Sequence, residues 1–394
     1  MASAQTPARP SARQAVPAPA PAAAPAIRPS TASSIFADPA ARAAAEAALA
    51  AANDLRFGAL EPHVVALEAR FPGHPAVPFL RAQATWWRIL LDLSNNAYDG
   101  LFAQQMDEVV RLSNARLRRN RNDFDARFFR GVALGYKARM NVNRSRWWPA
   151  AREGKEAFDD VLFVSRRGPG NPDYGFGRGL YDYYAEVIRD RYPLARPILA
   201  FFPDGDRTRG LAALRAAAEN GTFTRSEATY FLAQILYLYE GNAPEALVYV
   251  RQLRARHAGN PYFNAFEGRL LLSTGQYEAA RTVFEGIVAR YDAGQTAYVG
   301  LAEQSLFQLA RVALAQGQPE AALAPLDRVD VLTARFQGGE SYYRVLGRLR
   351  RGMALDALGR RDEAVAAYQQ VLAMRDLSDS HATARQYLDR PYGQ

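Results

Sequence analysis

The chain contains no cysteine. That excludes disulfides, thiolate nucleophiles, sulfur-ligated zinc or iron–sulfur sites and the lipid-attachment residue of a bacterial lipoprotein. Histidine is nearly as scarce. His63, His74, His257 and His381 each stand alone in the sequence, so no pair has metal-ligand spacing and neither a metal nor another cofactor is expected. Lysine occurs only at Lys137 and Lys155, which makes almost all of the positive charge arginine. No stretch approaches about 18 uninterrupted apolar residues, so no membrane-spanning helix is expected. Serine–histidine and paired-carboxylate spacings that support catalysis are also missing, and no catalytic residue is assigned.

What is present is material for a large core, with 49% of the 394 residues hydrophobic. The net charge is +9, but Arg9, Arg13 and Arg28 precede any acidic residue and account for part of it. Together with abundant Ala, Gly and Pro, an arginine-dominated charge fits GC-rich codon usage, and a nucleic-acid partner is not the reading it favours.

The first 37 residues are Ala/Pro-rich, with Pro17, Pro19, Pro21, Pro25 and Pro29 among them. Proline at that density forbids a helix, and the segment is expected to be a disordered, solvated tail. Ala2-Ser3-Ala4 before Gln5 matches the small-x-small pattern of a signal-peptidase site, although no apolar region precedes it. The balance tilts toward a periplasmic or secreted bacterial protein, with the cytoplasm as the alternative.

The most informative feature is a repeat. Glycine, then alanine five residues on, then an apolar residue four further, recurs four times: Gly241/Ala246/Val250, Gly275/Ala280/Phe284, Gly317/Ala322/Leu326 and Gly359/Ala364/Tyr368. Self-similarity at this period means stacked helical hairpins sharing a continuous apolar spine. The glycine ends the first helix because it adopts the left-handed conformation cheaply. The alanine lies where the two helices cross, and the larger residue is expected to fill the groove toward the next hairpin.

These segments resemble tetratricopeptide repeats, most clearly Gly268 to Ala280 and Gly352 to Ala364. The tryptophan usual near the start of the first helix is replaced by Tyr230, Asn264, Leu306 and Arg348, and the closing proline is missing at Asp292. The resemblance implies an all-α fold, a right-handed α-α superhelix, in which residues 226–394 form the array and its capping helix. Upstream, 38–165 reads as divergent helical hairpins. Residues 166–225 read as a Gly/Pro-rich connector with short helices, opened by a loop over 166–179. Within it, Gly205-Asp206-Arg207 before a short helix is similar to the tetratricopeptide family that contains the yeast inclusion-body-clearance protein.

The resemblance also implies a concave groove lined by the first helix of each hairpin. Carried onto this chain, the lining positions are Phe231, Tyr262, Arg269, Gln304, Phe307 and Arg311, with Ile235, Met353 and Asp356 beside them. Arg269 and Arg311 occupy equivalent places in adjacent repeats and would form a basic rung for an acidic peptide or a terminal carboxylate. The competing reading pairs them with Glu267 and Glu303. The Lys/Asn clamp of chaperone-binding members is not present at these positions.

Other motifs read as structure. Gly175 to Gly179 lacks the preceding strand of a phosphate-binding loop. Asp204 and Asp206 lack the later ligands of a calcium loop, and Asp206 is expected to cap the next helix. Arg111, Arg116, Arg118, Arg119 and Arg121 read as a solvated helix end. Trp86-Trp87 and Trp147-Trp148 read as packing. The expected function is a non-catalytic scaffold for a protein or peptide partner, within a bacterial envelope assembly. The alternatives are an enzyme or enzyme subunit with a site near residues 166–207, and a nucleic-acid binder.

Overall fold

The computed structural model describes residues 34–93, 95–168, 170–191, 203–334 and 340–393. Most of the Ala/Pro-rich tail lies outside them, as do Pro193, Pro197, Phe201 and Phe202. The last tail residues do not continue as a spacer: Ile35–Ala37 is a short 3-10 turn, and Ile35 is buried. Its amide donates to the Asp125 carboxylate at 2.8 Å, and the Ser34 hydroxyl donates to the other oxygen at 2.6 Å.

Among the described residues there are seventeen α-helices and no strand. The N-terminal half comprises α1 (Pro39–Asn53), α2 (Phe57–Arg70), α3 (Ala76–Leu91), α4 (Asp99–Arg119), α5 (Phe124–Asn143), α6 (Trp147–Arg167), α7 (Pro172–Arg191) and α8 (Arg207–Asn220). The repeat region comprises α9 (Arg225–Leu238), α10 (Ala243–Arg256), α11 (Pro261–Ser273), α12 (Tyr277–Asp292), α13 (Val299–Ala315), α14 (Pro319–Thr333), α15 (Tyr342–Ala357) and α16 (Arg361–Leu372). A last helix, α17 (Ser380–Asp389), packs on α15 and α16. Consecutive helices pack against one another, and α11, α13 and α15 also touch one another in series, which is the stacking of a solenoid.

The repeat chemistry behaves as its residue types require. Gly241, Gly275, Gly317 and Gly359 all take positive φ, between 66° and 75°. Ala246, Ala280, Ala322 and Ala364 are fully buried at the crossings. The bulky residue four further on packs differently from the expectation. Phe284 and Tyr368 lie against Gly268 and Gly352 of the first helix in their own hairpin, so the small–large fit is made inside the repeat.

The loop expected over 166–179 is a correction. Helix α6 runs to Arg167, and α7 starts at Pro172 and holds Gly175, Gly177 and Gly179 in its first turns. Proline suits a first helical turn because its missing N–H has no partner there anyway. Two of the glycines serve close packing: a Cβ on Gly177 would come 2.8 Å from Val161, and one on Gly179 would come 3.0 Å from the Gly210 carbonyl.

The two halves are packed together. The Asn260 side chain donates to the Asn53 carbonyl at 2.7 Å, and Trp87 makes an edge contact with Phe263 at 5.4 Å. Arg139 of α5 is half-buried over Trp86, Tyr230 and Phe231 and pairs with Glu227 at 3.1 Å. One apolar cluster therefore runs from Ile35 through α3 and α5 into α9 to α13.

Candidate partner-binding groove

The first helices of the hairpins carry the expected lining residues, but the structure divides them into three groups. Phe231 and Tyr262 are covered by the chain itself. Phe231 lies beneath the Arg139 guanidinium at 4.9 Å, and Tyr262 sits against Trp87 at 5.7 Å while sharing a 2.8 Å hydrogen bond with Tyr230. Gln304 and Phe307 are buried under Tyr343 of the next repeat; the rings of Phe307 and Tyr343 are 5.5 Å apart, and Gln304 donates to the Tyr343 hydroxyl at 2.5 Å. These two form the floor rather than the surface. Of the three neighbours, Ile235 and Met353 are buried. Asp356 is consumed by Arg361, the Tyr368 hydroxyl and the Tyr392 amide.

Arg269 and Arg311 remain. The acids that could have neutralised them are engaged elsewhere. Glu267 pairs with Arg251 at 3.0 Å and with Arg254. Glu303 accepts from the Thr333 and Ser341 hydroxyls, and burial raises its pKa. Among the described residues neither arginine has a carboxylate partner. Arg269 stacks on Phe266 at 4.9 Å, with its Nε lacking a hydrogen-bond partner, and Arg311 donates to Gln308 at 2.9 Å.

Arg311 lines a cleft of about 260 Å³ with Arg350, Tyr277, Leu272, Leu314, Met353 and Tyr392. No acidic residue is in that wall. Among the described residues Arg350 makes only a contact to the Met353 sulfur at 3.1 Å. Burial, followed by the like charge of Arg350 and then Arg269, lowers the pKa of Arg311. Among the described residues no carboxylate relieves this cluster, so an anion in the cleft would be attracted by Arg311 and Arg350 together. Arg350 escaped the sequence reading because the repeat rule points to Met353. It lies one turn earlier on the same face, which the three-residue spacing could have revealed.

A second cleft, of about 300 Å³, opens between α1 and the starts of α9 and the α10–α11 turn. There the Ser226 hydroxyl and His257 Nε2 are 2.8 Å apart, a serine–histidine contact that sequence spacing did not show. Burial pushes the His257 pKa down to about 4, too weak a base for proton abstraction near neutrality. The region around residues 166–207 is knit by ion pairs: Asp206 caps α8 through the Arg209 amide at 2.8 Å, Asp204 pairs with Arg189, and Asp182 holds Arg178 and Arg209. Among the described residues no group of three or more potential metal ligands converges, and no helix is long and apolar enough to cross a membrane.

The architecture is that of a helical-repeat protein. Family models for the tetratricopeptide repeat match residues 237–304 and 333–374. The chain carries tetratricopeptide repeats in these two segments. No curated protein matches it. Among solved structures, a Podospora anserina protein described as a kinesin light chain with nearly identical TPR-like repeats is 21% identical, over 52% of this chain and 98% of that one, with a TM-score of 0.35. Yeast Tom70 is 11% identical over 90% of this chain and 82% of its own, with a TM-score of 0.39. The P58(IPK) TPR domain is 14% identical over 85% and 84%, with a TM-score of 0.24. The similarity to the family of the yeast inclusion-body-clearance protein has no counterpart among these.

Proposed function

We propose that this scaffold holds an acidic peptide segment of a protein partner, with Arg311 and Arg350 gripping carboxylates and Arg269 extending the basic rung. The observation that carries the reading is the arginine pair lining one cleft with no acid in its wall. Planar guanidinium groups suit bidentate capture of carboxylates, and Tyr277 and Tyr392 offer flanking surface for an extended chain. The part of the groove near Phe231 and Tyr262 is filled by α3 and α5, so the peptide enters from the C-terminal end of the array. The small-x-small pattern at Ala2 to Ala4 is what favours a bacterial envelope assembly as the setting, and fractionation of the native organism checks that part.

Fluorescence anisotropy with a labelled oligo-glutamate peptide tests the site. Binding should weaken at least about tenfold in Arg311→Ala/Arg350→Ala, an amount in line with losing two charge-assisted contacts. Thermal stability should be retained. Equal affinity of wild type and variant for the peptide would remove the cleft from consideration.

A further inference from the structure

The tryptophans divide into two pairs. Of the four in the chain, Trp86 and Trp87 are buried, whereas Trp147 and Trp148 are 64% and 87% exposed. This overturns the reading of the second pair as packing. They open α6, and their surroundings are apolar too. Val142 is exposed in the last turn of α5, Leu93 is exposed in the turn between α3 and α4, and Leu101 is exposed in the first turn of α4. Arg144 binds the two turns into one edge, donating to the Leu93 carbonyl, to the Asn95 carbonyl at 2.9 Å and to Asp99 at 2.7 Å. Ser145 takes φ of 56° to make the tight turn that presents the tryptophans. Five large apolar side chains thus lie along one edge, formed by the end of α5, the starts of α4 and α6 and the turns that join them.

The charge at this edge is positive. Asp99 is its one acid between residues 93 and 101, and it already serves Arg144 and, at 3.5 Å, Arg146. Residues 142–152 bring Arg144, Arg146 and Arg152 with no acid among them. Arg152 is exposed and has no ion-pair partner among the described residues. The N-terminus of the 21-residue α6 has no side-chain cap, so its first amides add a further positive pole.

We infer that this edge docks on the surface of a membrane bearing anionic phospholipids. Tryptophan gains most at a lipid–water boundary, where its ring is accommodated among acyl chains and headgroups while its N–H stays wet. Adjacent helical residues point about 100° apart, so Trp147 and Trp148 splay as two separate wedges rather than forming one flat plate. Flanking arginines add attraction to anionic headgroups that fades within a Debye length. A second copy of the edge is a poor occupant, because two like-charged patches repel. The arrangement rests the protein on the membrane and inserts no helix, and it lies apart from the arginine cleft.

Sedimentation with sucrose-loaded vesicles, about three parts phosphatidylcholine to one part phosphatidylglycerol, tests this directly. Wild-type protein should pellet with these vesicles, and pure phosphatidylcholine should bind it at least about fivefold less. Trp147→Ser/Trp148→Ser should reduce binding to the mixed vesicles at least about tenfold. Tryptophan emission gives an internal readout: it should shift to shorter wavelength with vesicles, and the shift should vanish in the double variant, where only buried Trp86 and Trp87 remain. Arg311→Ala/Arg350→Ala should bind vesicles as wild type does, so failure here is separable from failure of the peptide site. The inference is overturned by absent pelleting, by pelleting that survives the double substitution, or by the edge mediating self-association or capture of a protein without vesicle binding.

Discussion

The ring of Phe284 lies directly under Gly268, so that a Cβ on the glycine would come 2.7 Å from Cζ. Gly352 and Tyr368 repeat the relationship, with 2.7 Å to Cδ1. In both hairpins the large residue of the second helix fits because the first helix has no side chain opposite it. Gly268→Ala should therefore cost about 1–3 kcal/mol by overpacking. Adding Phe284→Leu to Gly268→Ala should return part of that loss, since the smaller side chain relieves the clash. A double-mutant cycle by urea unfolding measures the coupling. Strict additivity of the two substitutions would contradict the fit.

The hairpin glycines separate a conformational role from a packing one. Gly275 takes φ of 75°, and a Cβ added there would meet nothing within 4 Å, so Gly275→Ala should cost about 1–2 kcal/mol from left-handed strain alone. Gly286 is exposed in the middle of α12 and has equally open space without a positive φ. Gly286→Ala should instead stabilise by about 0.5–1 kcal/mol, because alanine is the better helix former. Opposite shifts in thermal midpoint are the expected result, and shifts of the same sign would refute the distinction.

The hairpins were legible because the signals are local: a left-handed glycine, a small crossing residue and an apolar period all lie within some ten residues of one another. Helix α7 was not, because Gly177 and Gly179 are small to admit Val161 and Gly210, and composition alone makes such glycines look like loop residues. Nor could residue type tell the buried Trp86 from the exposed Trp148. The partial filling of the groove depends on contacts such as Trp87 with Tyr262 and Arg139 with Phe231. Those contacts join segments far apart in the chain, and no repeat rule encodes them.

Asp173 is a buried staple between the start of α7 and the turn before α9. Its carboxylate accepts from the amides of Thr222, Phe223 and Thr224 at 2.9, 2.9 and 2.7 Å and from the Thr224 hydroxyl at 2.7 Å. Asp173→Ala strands several donors at once and should cost about 3 kcal/mol or more. Asp173→Asn, which keeps one carbonyl acceptor, should cost less. Hydrogen exchange localises the damage: protection should fall first at Thr222 to Thr224, and unchanged protection there would rule out the staple.

His257 gives the fold a pH dependence whose sign can be worked out. Burial first, and the nearby Arg256 charge after it, depress its pKa to about 4, against the opposing pull of Asp54. The ring is buried beside Ser226, with Nδ1 lacking a hydrogen-bond partner. In the unfolded chain the imidazole takes up a proton near its ordinary value of about 6.5, while the folded protein resists until about pH 4. The unfolded state thus binds more protons across that interval, so stability falls as the pH drops from about 6.5 to 4 and levels off below it. The loss attributable to this residue is at most about 3 kcal/mol. His257→Gln keeps a group able to bond Ser226 but cannot titrate. Urea unfolding between pH 7 and pH 4 should therefore show a shallower decline for the variant, because carboxylate titration affects both proteins alike. Parallel curves would mean that the imidazole takes up its proton over the same pH range folded as unfolded, against its burial.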